Sequence, residues 1–589
     1  MTEIDAIPAA FRWNLSPQHP GAQELANRLK VSQLLAQALL SRGLSEEADC
    51  RLFLQPSLKA LHEPSTMPGI TTAAERIARA MRDRERIVIY GDYDVDGITA
   101  TAILWHAIRL LGGDVGYYVP HRIDEGYGLN AQAVAQLIEQ GARLIVTVDC
   151  GVTAIDAAQV VMDRGADLII TDHHQFDAQR LPQCTAIVHP RLPVEGQAAY
   201  ANPHLCGAGV AFKLAWQTAK ALTGNPRVQP EFREFLVEAT ALASLGTIAD
   251  VVPLVGENRV LAHYGLSGLR ESKLTGIRAL IASAALTGRQ LDSYHVGFCL
   301  APRLNACGRM GHAQLAVKML TEANEAEALE TATYLEEQNR ARQVMERAIL
   351  DQALAQLDAA GSAAEQEHAV VLASDQWHAG VIGIVAARLV ERFCRPTVLI
   401  SLTDGQGQGS ARSIPGFHLA NALAACSAHL ISHGGHEMAA GLKIKREEFD
   451  PFRAAFNDYA RRHVDAAMMQ PQLQLEAPAR LGDMTEALVA DLQRLGPFGN
   501  ANRRPIWLFR DVQLALAPRV VGKTGQHLQL LVKQGDMRMK CIAFGLARVA
   551  DKLTPGASLE LAAEPMINQF NGRRSVELEV KDLRMPQEA

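Results

Sequence analysis

Three aspartates stand at alternate positions directly after an apolar run. Ile87-Val88-Ile89-Tyr90-Gly91 breaks into Asp92, Asp94 and Asp96, and Gly97 follows. Carboxylates this close repel one another unless something positive joins them. Hard divalent cations, which favour oxygen ligands, are the natural partner. An exposed acidic turn is the other reading, since Asp and Gly are ordinary turn residues. Two later segments favour the cation. Leu144–Val148 runs into Asp149-Cys150-Gly151, and Leu168–Ile170 reaches Asp172-His173-His174 one residue later. A fourth candidate, Asp250, follows the apolar stretch Ser244–Ala249 and precedes Val251-Val252-Pro253. On its own, Asp250 reads as a helix-end residue.

Several carboxylates and one or two imidazoles can hold two cations about 3.5–4 Å apart, with one carboxylate bridging them. Such a pair activates water near neutral pH and clamps the oxygens of an in-line displacement at phosphorus. Mixed oxygen and imidazole ligation suits Mn²⁺ better than an all-oxygen Mg²⁺ site. The chemistry implied is metal-dependent hydrolysis of a phosphoester or phosphoanhydride. Cys150, beside Asp149, reads as a small buried filler, because no motif activates it.

The elements that must position these residues alternate. Strands are expected at Ile87–Tyr90, Val115–Val119, Leu144–Val148 and Leu168–Ile170. Helices are expected at Thr99–Leu111, Ala131–Gln140 and Ala154–Arg164. Strands alternating with helices of about a dozen residues imply βαβ units and a parallel sheet. All three acidic segments then lie at its carboxyl edge, where open α/β folds bind ligands.

The 589 residues, 48% apolar, allow three or four domains. The division expected is a helical lead-in over 1–70, a catalytic α/β domain over 71–320 and a connecting helix over 321–360. A second α/β domain over 361–465 and a β-barrel over 470–585 follow. Ala326–Leu357 lacks Gly and Pro and predicts one long helix, roughly 48 Å at 1.5 Å per residue. Gln470–Pro478 reads as a linker.

In order, Asp94-Val95-Asp96, Asp149, Asp172-His173-His174 and Asp250 are similar to the four motifs of the DHH phosphoesterase superfamily. Within it, Gly91–Gly97 and Ser244–Leu254 resemble the RecJ-type exonucleases. The resemblance implies that Asp94, Asp96, Asp149, His173 and Asp250 ligate two Mn²⁺ or Mg²⁺ ions, with Asp149 bridging. It places His174 against the scissile phosphate. Many superfamily members carry a histidine four residues before the first metal aspartate. Here that position is Tyr90, and Asp92 is the residue that could compensate. His174, Asp149 and Asp92 are therefore the expected catalytic residues.

Other segments must select the substrate. Arg303-Leu304-Asn305 and Arg309 bring two guanidiniums near a turn, and Ser410-Ala411-Arg412 adds a third. Gly434-Gly435-His436, continued by Ala439 and Gly441, resembles the DHHA1 substrate domain. Arg303, Asn305, Arg309, Ser410, Arg412, Gly434, Gly435 and His436 are thus expected to bind substrate phosphates. Between Gly496 and Arg548 lie nine basic residues, among them Arg503, Arg504, Arg519, Lys523 and Lys540. Phe498, Trp507, Phe509 and Phe544 are interleaved. Basic residues on a barrel with aromatics for stacking fit an OB-fold that holds a single strand.

The net charge of -6 neither supports nor excludes nucleic acid, because local charge decides that. No apolar run long enough to span a membrane is present, and the acidic start does not read as a signal peptide. Nine dispersed cysteines suit a reducing cytoplasm. The resemblance implies a 5′→3′ exonuclease specific for single-stranded DNA, in recombination and repair, and a cytoplasmic monomer is expected. A single-stranded-DNA-binding protein is the partner the resemblance implies. The rival readings are a small-substrate phosphoesterase of the same superfamily and an inactive scaffold.

Overall fold

The computed structural model describes residues 11–121, 125, 128–194, 196, 198–309, 312–361, 367–570 and 572–585. They form two compact units. Among the described residues, the smaller comprises 11–16 and those of Arg340–Glu476, and the larger those of Pro17–Asn339 and 477–585. The division falls inside one helix, Glu325–Ala360, which includes the long helix expected from sequence.

The larger unit is built around a five-stranded sheet. Its spatial order is Val115–Tyr118, Ile87–Gly91, Leu144–Val148, Asp167–Thr171, Ala186–Val188, and every pairing is parallel. Ile87–Gly91 and Leu144–Val148 are buried throughout. A strand covered on both faces needs an unbroken apolar run, and β-branched residues supply it. The second strand in sequence lies on one side of the first, and the third lies on the other. That reversal is a topological switch point, where the strand ends splay and leave a crevice. Helices Gly207–Thr223, Pro230–Ala249 and Gly256–Glu271 complete the core below it.

One expected boundary moves. The helix predicted from Thr99 starts at Val95, because Asp94 caps it: its Oδ1 accepts the amides of Asp96 and Gly97 at 2.9 and 3.2 Å. Asp96 therefore sits in the first helical turn, where a carboxylate is favoured.

The C-terminal strands close into a barrel. Trp507–Leu514 pairs with Ser558–Phe570 on one side and with His527–Gln534 on the other. Met537–Ala543 and Arg573–Arg584 complete the ring. Of the interleaved aromatics, Trp507 and Phe509 are wholly buried core, Phe498 is half-buried, and Phe544 is exposed. Core packing of large rings wins over display.

The barrel docks on the catalytic core through Arg259. This buried guanidinium donates to the carbonyls of Phe53, Arg494, Leu495 and Gly496 at 2.7–3.1 Å. It also stacks 3.8 Å from the centroid of Phe53. A second buried charge, Lys213, pairs with Glu257. Glu257 also accepts from the Tyr200 hydroxyl at 2.7 Å and from the His62 amide at 2.6 Å.

In the smaller unit the sheet order is Ser432–Gly435, Ala439–Lys445, Gln406–Arg412, Thr397–Thr403, Val370–Ser374. The stretch expected as a linker is partly strand. Gln472–Leu475 pairs in parallel with Arg12–Leu15, and Asn14 Nδ2 donates to Gln472 Oε1 across 458 residues of sequence. Pro and Gln made the segment look irregular, while its ladder partner lay too far away to be sensed locally. The lead-in is correspondingly divided: Arg12–Leu15 joins the smaller unit, and helices Ala22–Leu29, Gln33–Leu40 and Glu47–Leu54 join the larger.

Candidate metal centre

Strand register aligns the acidic tips. Gly91 is opposite Val148, Val148 opposite Thr171, and Thr171 opposite Val188. The next residue of each strand extends the row: Asp92, Asp149, Asp172 and His189. All four are buried, at 3%, 1%, 1% and 0% exposure. The row crosses the switch point between the first and third strands.

Around it, donor atoms gather in three overlapping groups, each within 4.8 Å: Asp92, Asp94 and Asp149; Asp96, His173 and Asp250; Asp149, His173 and His174. Asp149 belongs to both the acidic group and a histidine group. His173 Nε2 lies 3.1 Å from Asp149 Oδ1, 3.6 Å from Asp250 Oδ2 and 3.7 Å from Asp96 Oδ2. That nitrogen is buried and makes no hydrogen bond. Burial and the neighbouring His174 charge push the His173 pKa down to about 3, so the ring is neutral and its lone pair is available. A neutral imidazole facing three carboxylates fits a divalent cation.

The backbone is held in place for this. Asp149 adopts φ +63°, and Val251, directly after Asp250, adopts φ +59°. Left-handed φ is rare for any residue with a side chain, and more so for a β-branched one. Asp96 is fixed by the first turn of helix Gly207–Thr223, whose Gly207 and Ala208 amides donate to its two oxygens at 2.6 and 2.8 Å. Gly246 packs against Asp96 so closely that a Cβ there would fall 2.4 Å from Asp96 Oδ1. Any larger residue would displace the carboxylate.

His174 and Asp172 form a separate pair. Asp172 Oδ1 accepts from the His173 and His174 amides and lies 2.8 Å from His174 Nδ1, while Oδ2 accepts from the Val152 amide. Burial alone would raise Asp172, but the His174 hydrogen bond and charge outweigh it and hold it at about 2. Burial alone would lower His174, but Asp172 holds it up at about 9. His174 is therefore a cation at the rim of the acidic cluster.

Two residues that sequence reasoning missed grip this turn. His189 Nδ1 accepts from the Arg191 amide, so Nε2 carries the proton and donates to the His174 carbonyl at 2.9 Å. The Arg191 guanidinium donates to the His173 carbonyl. Val188-His189-Pro190-Arg191 follows a strand of only three residues, Ala186–Val188. A short apolar run before His-Pro was the available signal.

The expected substrate residues are dispersed. Asn305 lies at the centre: its Oδ1 accepts the Val95 amide between Asp94 and Asp96 at 3.2 Å. Arg303 is turned inward, pairing with Glu336 at 2.7 Å, and so stands as a strut. Arg309 ends its helix, and its side chain lies outside the described residues. Ser410, Arg412, Gly434, Gly435 and His436 belong to the smaller unit. There Arg412 Nη1 reaches Ser410 Oγ at 3.1 Å on one strand, and Gly434 faces Gly441 on the next pairing. Gly435 has φ +142°, and a Cβ would lie 2.4 Å from Ala440 Cα, so a side chain is excluded. Tyr90 belongs to none of the three donor groups, and its hydroxyl donates to the Gly128 carbonyl at 3.2 Å. Asp92 takes the place beside Asp94 that Tyr90 does not fill.

Residues 86–243 match the DHH family N-terminal domain, 366–462 the DHHA1 domain and 475–582 the RecJ OB domain. Single-stranded-DNA-specific exonuclease RecJ of Bacillus subtilis is 35% identical over 98% of this chain and 71% of its own. The chain belongs to the RecJ family. The RecJ of Escherichia coli is 32% identical, covering 94% of this chain and 96% of its own. The crystal structure of RecJ from Thermus thermophilus in complex with Mn²⁺ superposes with a TM-score of 0.83, at 30% identity, over 98% of this chain and 80% of that one. The same RecJ with Mg²⁺ gives 0.77 at 29% identity, over 98% and 79%.

A pH dependence follows from the acidic cluster. Burial, then neighbouring carboxylates, raises Asp96 to about 6 and Asp250 to about 8. Raised carboxyls are protonated below those values, and a cation must displace the protons. Mn²⁺ affinity, measured by calorimetry, is expected to rise between pH 6 and pH 8, by up to about tenfold per pH unit for each proton displaced. Affinity that is flat across this window would refute the assignment.

Proposed function

We propose that this protein is a single-stranded-DNA-specific 5′→3′ exonuclease that releases mononucleotides by two-metal phosphodiester hydrolysis, in recombination and repair. The observation that carries the reading is the row Asp92, Asp149, Asp172 and His189 at the switch point of a RecJ-family sheet, joined by Asp94, Asp96, His173 and Asp250. Asp92, Asp94 and Asp149 would hold one Mn²⁺ or Mg²⁺, and Asp96, Asp149, His173 and Asp250 the other. Bound there, the cations supply Lewis-acid charge at the scissile phosphate and lower the pKa of water.

The chain's own residues do the rest. Asp149 contributes to both groups and sets their separation. His174, kept cationic by Asp172, offers positive charge and a proton to the phosphate. His189 and Arg191 keep that turn from swinging. Asn305 holds the Asp94–Asp96 loop through one amide. Arg309, and in the smaller unit Ser410, Arg412, Gly434, Gly435 and His436, are the groups we assign to the strand's phosphates.

The barrel favours a polymer over a small substrate. Among the described residues, Arg519, Lys523, Lys533, Arg538 and Lys540 have no carboxylate within ion-pair reach. Charge excess on a barrel suits a polyanion. All nine cysteines are free thiols, which supports placing the protein in the cytoplasm. No described helix is long and apolar enough to cross a membrane. We assign a monomer that works beside a single-stranded-DNA-binding protein.

The test is digestion with Mn²⁺ of end-labelled single-stranded DNA blocked at either end, alongside duplex and dinucleotide. Single strands with a free 5′ end should yield mononucleotides, and duplex should persist. Affinity for the strand should fall steeply as salt rises. Attack confined to dinucleotides, or release from the 3′ end, would sink this reading.

A further inference from the structure

A cavity of about 1000 Å³ opens within the larger unit, between the catalytic core and the segment entering the barrel. That volume is at the top of the range that holds a small-molecule ligand. Its wall includes Val251, directly after Asp250, and Asn305, which holds the Asp94–Asp96 loop. The cavity wall thus includes residues that flank or hold the candidate metal-binding groups. At its rim stand Tyr294 and Phe298, 61% and 71% exposed. Their rings stack at 4.9 Å between centroids and 27° between planes. Two large rings left in water on successive turns serve no core.

The local backbone is also unusual. His295–Leu300 winds as a π-helix, a rare form that recurs at functional sites. Ahead of it, Asp292 accepts the His295 amide at 3.1 Å. Across the cavity, Arg504 joins Asp292 at 3.3 Å and Glu564 at 3.1 Å, and lies 4.7 Å over the Phe498 ring. Arg503 beside it is exposed and has no carboxylate within ion-pair reach among the described residues.

Exposed rings and an uncompensated guanidinium lining one cavity are the elements of a single-strand binding platform. Every nucleobase offers a flat face to an aromatic ring, and the phosphate beside it seeks positive charge. An acidic peptide would use Arg503 but has no need of stacked rings. A neutral apolar partner would bury the rings but leave Arg503 unused.

We propose that Tyr294 and Phe298 form a base-stacking station, with Arg503 as its phosphate contact, for nucleotides of the same strand that is cut at the metal centre. The inference rests on the proposed exonuclease reading and adds a residue-level binding site outside the metal centre. It assigns the rings to affinity for the polymer and gives them no part in the chemical step.

The test uses the full-length protein, 20-nucleotide oligothymidylate and its abasic counterpart, with binding read by fluorescence anisotropy at fixed salt. The doubly substituted Tyr294→Ala, Phe298→Ala protein should bind the oligothymidylate about ten- to a hundred-fold more weakly. Tyr294→Phe should bind as the parent does. The abasic strand should bind parent and double variant alike. Hydrolysis of p-nitrophenyl thymidine 5′-phosphate, too short to reach the rings, should be unchanged. Arg503→Ala should reduce the slope of log affinity against log salt by about one. Equal oligothymidylate affinity in parent and double variant would overturn the station, as would equal losses on the abasic strand. Loss of the short-substrate activity would overturn it too, by placing the rings in the chemistry. A parent protein that binds no single strand at all would overturn the exonuclease reading itself, and this inference with it.

Discussion

Replacing Asp149 with Asn is expected to reduce exonuclease turnover about 1,000-fold or more at saturating Mn²⁺. That corresponds to about 4 kcal/mol of lost transition-state stabilisation. Asp149 is the carboxylate shared by the acidic and histidine groups, so neutralising it should weaken both proposed cation positions together. The same change should stabilise the metal-free protein. Burial, then the charges of Asp96, Asp94, Asp92 and Asp250, raises Asp149 well above the ordinary carboxyl range. A carboxyl whose folded pKa is raised favours the fold fully only below its unfolded pKa. That advantage is lost as pH climbs through the folded value. Without metal, thermal stability should therefore fall from pH 5 to pH 8, the window set by ordinary carboxyls and by Asp250 at about 8. Asp149→Asn should flatten that fall, and Mn²⁺ should reverse it in the parent protein. Calorimetric melts with and without Mn²⁺ check both arms. A fully active Asp149→Asn protein would refute the two-metal assignment.

Glu257→Ala should cost about 3–5 kcal/mol of stability, the penalty for leaving a buried charge unpaired. Lys213 is 0% exposed and Glu257 1%, so water cannot replace the lost partner. Burial already lowers the Lys213 pKa, and Glu257 is the group that opposes this. The Tyr200 hydroxyl and the His62 amide would lose their acceptor as well. Urea denaturation reads the loss. Substituting both partners with apolar residues of similar size should restore much of it. A single-variant loss below about 1 kcal/mol would show that the pair is solvated.

The acidic tips were legible because each apolar run stops at a charge, a pattern that needs no long-range information. His189, the fourth member of the row, was hidden by the brevity of its strand. Asp94 was read for its charge, which obscured its service as a helix cap and moved the helix start by four residues. The pairing of Gln472–Leu475 with Arg12–Leu15 was invisible because a ladder partner hundreds of residues away leaves no local trace. Trp507 and Phe509 show the limit of composition: aromatic and basic residues alternate in sequence, yet the rings face inward. Tyr294 and Phe298 carried no charge pattern, and only their exposure reveals them.

Arg259 has a consequence for how the chain is made. Its Gly496 acceptor lies 237 residues further on. At bacterial or eukaryotic synthesis rates of about 5–20 residues per second, that is roughly ten to fifty seconds of translation. During this interval the catalytic half has left the ribosome while the guanidinium that will anchor the barrel still has no barrel to hold. The intervening smaller unit is completed first. Until the last segment arrives, Arg259 lacks the Arg494, Leu495 and Gly496 carbonyls that it grips in the finished protein.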